Sequence, residues 1–92
     1  MLEIDDQPVQ EAIAEVVHAI QDVRLLGGIS KYRLAKLTGL HASTIGLIER
    51  GQRNPSLFVI LKMAGALEVS LGSILSRCET SLHPEPEVTP TG

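Results

Sequence analysis

Along most of the chain, apolar residues recur in steps of three and four, the spacing that gathers them on one face of an α-helix. Val9, Ile13, Val16, Ile20 and Val23 form the first such face. The spacing predicts a helix from Pro8, which suits a first turn, to the Gly27–Gly28 pair that ends it. A shorter helix is expected over about 31–37, capped by Ser30, with Leu34, Ala35 and Leu37 inward and Gly39 as its stop. A third spans about 42–49, with Ile45 and Ile48 facing the core and Gly51 at its end. "QRNP" reads as a turn. Ser56 then caps a fourth helix carrying Leu57, Ile60, Leu61, Ala64 and Leu67, and Ser70 caps a short fifth with Leu71, Ile74 and Leu75. No alternating run demands a sheet, so the expected fold is all-α with five helices.

Composition narrows this picture. At 92 residues the chain allows one small domain with a modest core. Its only aromatic residues are Tyr32 and Phe58, so that core rests on Leu, Ile, Val, Ala and Met. From Arg77 the sequence "RCETSLHPEPEVTPTG" holds three prolines and scattered apolar residues, the composition of a disordered tail. The expected layout is an N-terminal extension over 1–7, a helical domain over 8–76 and a tail over 77–92. The single Cys78 has no internal partner, and no Cys/His cluster has zinc spacing. No cofactor is implied. The opening "MLEIDDQP" is acidic where a signal peptide would be basic, and no apolar run approaches the ~20 residues of a membrane span. A cytoplasmic protein is the simplest expectation.

The net charge of −3 argues against a nucleic-acid binder only until it is resolved along the chain. Residues 1–23 hold six acids and no Lys or Arg, whereas residues 24–62 hold seven bases against the single acid Glu49. The remainder returns to acid, with Arg77 against Glu68, Glu79, Glu85 and Glu87. A basic middle between acidic ends is the asymmetry of a local anion-binding surface, or of a solvated face without a partner.

The segment "SKYRLAKLTGLHASTIGLIERG" supplies a structure for that middle. It reads as a short helix, a tight turn at Gly39 and a second short helix, with the small Ala35 permitting a close crossing. That is a helix-turn-helix, whose second helix can lie in a major groove. Here the chain resembles the lambda-repressor/Cro-like, or XRE, family of bacterial and phage regulators over roughly residues 14–76. The carriers are "ISKYRLAKLTGL", "STIGLIERGQRNPSL" and "LKMAGALEVSLGSIL". The phrase Ile45-x-x-Ile48-Glu49-x-Gly51-x-Arg53-x-Pro55 is more specific than a lone helix-turn-helix pattern. The resemblance implies a compact five-helix domain, double-stranded DNA as partner, commonly a homodimer, and no catalysis.

Carried over residue by residue, the resemblance assigns phosphate contacts to Lys31, where the family often has Gln, and to the turn Arg50-Gly51-Gln52-Arg53-Asn54. Arg33 and Lys36 add long-range attraction. Such contacts set register and affinity but carry no sequence information. Glu49 is expected to pair with Arg24, late in the first helix, as a structural ion pair. The base-reading positions implied are His41, Ala42, Ser43, Gly46 and Leu47, flanked by Thr44. Ala42 and Leu47 offer only apolar contact, for example to a thymine methyl, while Ser43 and Thr44 offer single hydrogen bonds. His41 replaces the usual Ser or Thr cap. Gly46 offers nothing and lowers helix stability by about 1 kcal/mol relative to Ala.

Two functions fit these residues. One is a dimeric repressor of modest sequence specificity, helped by DNA shape. The other is an antitoxin-like or protein-interaction module in which Leu47 and its neighbours bind protein and DNA specificity is weak. The first helix or the Pro/Glu tail would then hold the partner. Helix five, around Leu71 and Ile74, is the expected dimer interface. An enzyme is disfavoured, because His18, His41 and His83 are scattered and no phosphate-cradling glycine loop or paired-carboxylate motif occurs.

Overall fold

The carboxylate of Asp5 accepts a hydrogen bond from the Gln7 amide at 3.1 Å and so caps the first helix before Pro8 is reached. The computed structural model describes residues 5–82. They form α1 (Asp6–Leu26), α2 (Lys31–Thr38), α3 (Ala42–Glu49), α4 (Leu57–Ala66) and α5 (Leu71–Leu82). No strand occurs among the described residues. Three serines start helices as their sequence positions predict. Ser30, Ser56 and Ser70 accept from the amides of Arg33, Val59 and Ser73 at 3.0, 3.1 and 3.3 Å.

Every helix contributes to one core. Val16 and Ile20 from α1, Leu34 from α2, Ile45 from α3, Ile60 and Met63 from α4, and Ile74 and Cys78 from α5 form a single buried cluster. Burying such a side chain fully contributes about 1.5–3 kcal/mol, and the cluster is the main force holding short helices together. α1 and α5 pack along each other, while α2 packs on α3 and α4. Between α2 and α3, Gly39 adopts φ 76°, and its amide donates to Ala35 O at 2.8 Å. A residue with a Cβ resists that left-handed conformation, so the tight turn depends on glycine here.

Several expectations change. Leu37 is exposed, and Thr38 takes the inward place beside Leu34. The Thr38 hydroxyl donates to Leu34 O at 2.7 Å and accepts from the Leu40 amide, so its polar atom is satisfied inside. On α4 the buried stripe is Ile60, Met63 and Ala64, which leaves Leu57 and Leu61 on an outward flank. Leu75 is also exposed, and Ile74 closes the core. α5 does not stop before Arg77. It runs to Leu82, because Cys78 lies one turn beyond Ile74 and extends the apolar face against α1. The expected tail therefore begins as helix, and residues 83–92 of it lie outside the described residues. At the other end, α1 takes in Asp6 and Gln7, which the sequence pattern assigned to an extension.

Candidate nucleic-acid interface

α3 is held by its inner side. Ile45 and Ile48 are buried, and the helical repeat then turns Ser43, Leu47 and Arg50 outward. His41 and Ser43 are exposed, while Ala42, Thr44 and Leu47 are half-buried. His41 occupies the N-cap position with extended backbone, φ −84° and ψ 141°, but its side chain makes no capping hydrogen bond. The first turn of α3 therefore lacks the side-chain acceptor that Ser30 and Ser56 give to α2 and α4.

Gly46 is buried although it has no side chain. Arg50, the C-cap residue, lies back over it, and a Cβ built on Gly46 would stand 3.0 Å from Arg50 Nη1. The same guanidinium donates through Nε to Gln52 Oε1 at 3.2 Å. Nothing in the i, i+4 spacing of Gly46 and Arg50 reveals this fold-back, since it depends on a rotamer.

The end of α3 is anchored to the end of α1. Arg24 donates from Nε to Glu49 Oε2 at 2.8 Å and from Nη2 to Oε1 at 2.9 Å, and its Nη1 donates to Ile29 O at 2.8 Å. Both side chains are buried, with 7% and 2% exposure. A planar guanidinium meeting a carboxylate through two parallel bonds fixes orientation as well as distance. Glu49 is fully engaged in the interior, which removes it from the exposed surface.

Several exposed cations lie on the elements that flank this anchored helix in sequence. Arg33 and Lys36 are exposed on α2, and Lys31, its first residue, is half-buried. Lys36 shares an open groove with Tyr32, His41 and Ser43 at the start of α3. Arg53 and Asn54 are exposed in the turn after α3, bordering a cleft against Gln10 and Ala14 of α1. Lys62 has a different task, one that the sequence pattern did not reveal. Its ammonium donates to Thr38 O at 3.0 Å and lies 5.2 Å from the centre of the Phe58 ring. Lys62 stands 24 residues from Thr38 and on another helix, so no local sequence signal pointed to this contact.

Residues 20–74 match the family model described as helix-turn-helix. The chain belongs to the XRE-type helix-turn-helix family. A relative in Serratia marcescens, "Control protein C.SmaI", is 33% identical over 69 residues, 75% of this chain and 79% of that protein. XRE-type proteins are DNA-binding transcription regulators, not an enzyme family. In this XRE-type domain the matched region begins inside α1 and ends inside α5, so it contains both halves of the Arg24–Glu49 pair and the whole of α2 to α4. No helix among the described residues is long and apolar enough to cross a membrane.

Proposed function

We propose that this regulator is a cytoplasmic homodimer that binds specific double-stranded DNA sites and represses transcription from them. The observation that carries this reading is the position of α3. It is pinned from behind by Arg24–Glu49 and presents Ser43, Leu47 and Arg50 outward, with Lys31, Arg33, Lys36 and Arg53 on the elements around it. In that arrangement the helix enters the major groove while the cations, with His41 and Asn54, meet phosphates on either side. Ala42 and Leu47 supply apolar contact and Ser43 and Thr44 single hydrogen bonds, so the base reading by α3 itself is modest.

A dimer places two such helices about 34–36 Å apart, one turn of DNA. Ile74 and the half-buried Leu71 are used in the monomer core, so α5 is a poor place for the interface. Leu57, Phe58 and Leu61 are all more than half exposed on α4, and a second copy would cover them there. The similarity to a protein named for control is in keeping with a regulatory role.

Fluorescence anisotropy with a random-sequence duplex at low and moderate salt tests the DNA reading. Binding that weakens steeply with salt is the expected result. Absence of binding at low salt would leave the protein-interaction module as the better account. Repression is tested by placing a selected site across a reporter promoter and measuring output with and without the protein.

A further inference from the structure

Gly46 stands inside an eight-residue helix, where glycine is destabilising relative to alanine. Its backbone does not need glycine, because the glycines with positive φ are Gly28, Gly39 and Gly51. What the missing side chain leaves room for is Arg50. The three nearest atoms to a Cβ at Gly46 all belong to that guanidinium, Nη1 at 3.0 Å and Cζ and Nη2 at 3.7 Å. A methyl group at 46 would crowd the guanidinium and make it give way by a few tenths of an ångström.

The guanidinium is also oriented. Its Nε is engaged by Gln52 Oε1 at 3.2 Å, whereas Nη1 and Nη2 make no hydrogen bond among the described residues. Arg50 is exposed, and its Nη atoms lie against Gly46, between the outward residues Ser43 and Leu47, without a partner of their own among the described residues. Two parallel N–H donors in that geometry match O6 and N7 of guanine in the major groove.

We propose that Arg50 reads a guanine base, and that Gly46 provides the slot and Gln52 the brace that hold it in position. The inference rests on the reading that α3 enters the major groove. It moves Arg50 out of the phosphate clamp implied by family resemblance and leaves Arg53 there. A helix with no long polar side chain at 42, 43, 46 or 47 then gains its strongest reader from its own C-terminal end.

The test uses the full chain. Sites are selected from a random duplex pool, and affinities for selected and random duplexes are measured for the wild type, Arg50→Ala and Gly46→Ala. In the wild type, replacing one G·C pair in a single half-site is expected to weaken binding roughly 5- to 150-fold. The same replacement should change little for Arg50→Ala. Gly46→Ala should weaken the same preference while its thermal midpoint holds or rises, since alanine is the better helix former. That opposite sign separates a defect in reading from a defect in folding. An equal loss by Arg50→Ala on selected and random duplexes would make Arg50 a phosphate contact and overturn the proposal. Full guanine preference in Gly46→Ala would overturn the slot. If the wild type binds no duplex at low salt, the groove reading itself fails and this inference falls with it.

Discussion

Arg24 and Glu49, 25 residues apart in sequence, meet through two hydrogen bonds of 2.8 and 2.9 Å in the interior. They tie the last turn of α1 to the last residue of α3. Removing one partner strands a buried charge, which typically costs about 3–5 kcal/mol. Glu49→Ala should therefore lower unfolding free energy by about that amount in urea titration. Replacing both residues with apolar ones of similar size should recover much of the loss. A cost below about 1 kcal/mol for the single variant would mean the pair is solvated, contrary to its burial.

Arg53 and Ser43 are expected to fail in different ways. Arg53→Ala should weaken all duplexes alike and flatten the log–log salt dependence by about 0.9 for each phosphate that the variant no longer neutralises. Ser43→Ala should alter preference among sequences more than overall affinity. A sequence-selective effect of Arg53→Ala would show that Arg53 faces a base edge and not the DNA backbone.

The apolar residues of α4 and α5 make a contrasting pair. Leu61 is 52% exposed, whereas Ile74 is 3% exposed. Leu61→Glu should leave the fold intact and shift sedimentation from dimer toward monomer. Ile74→Ala should instead destabilise the domain by about 2–5 kcal/mol in chemical denaturation. A dimer that survives Leu61→Glu unchanged would place the interface elsewhere.

Cys78 is buried between α5 and α1. Burial, then the Glu15 carboxylate, push its thiol above the usual range, with Arg77 opposing them. Because the thiolate is the reactive form, alkylation by iodoacetamide should be slow near neutral pH and should accelerate on adding urea. A fast reaction in the folded protein would show that α5 detaches past Arg77.

Most of the fold was legible because local chemistry and core packing agree. Ser30, Ser56 and Ser70 start helices where their hydroxyls can accept amides, and the steps of three and four place Ile20, Leu34, Ile45 and Ile60 inside. Where the pattern misled, it held two candidates for one place. Leu37 and Thr38 compete for the inward position of α2, and the threonine takes it by satisfying its hydroxyl on Leu34 O. Leu57 and Leu61 are spaced like core residues, yet both are more than half exposed, off the buried stripe of Ile60, Met63 and Ala64. The composition after Arg77 hid one further apolar turn ending at Cys78. At the interface, the i, i+4 spacing of Gly46 and Arg50 was visible, but which way a guanidinium folds is settled by rotamer and neighbour, not by spacing.

The open start of α3 has a consequence for how reading can fail. With no side chain closing its first turn at His41 and a glycine at its centre, α3 has little autonomy as a helix. Segments this short are not stable alone in water, so its shape is borrowed from Ile45, Ile48 and Glu49 against the rest of the domain. The surface proposed to face DNA is thus a cooperative property of the whole domain, with no separable reading head. Loosening α5 or the core on the far side would erase DNA binding without altering one residue that touches the duplex.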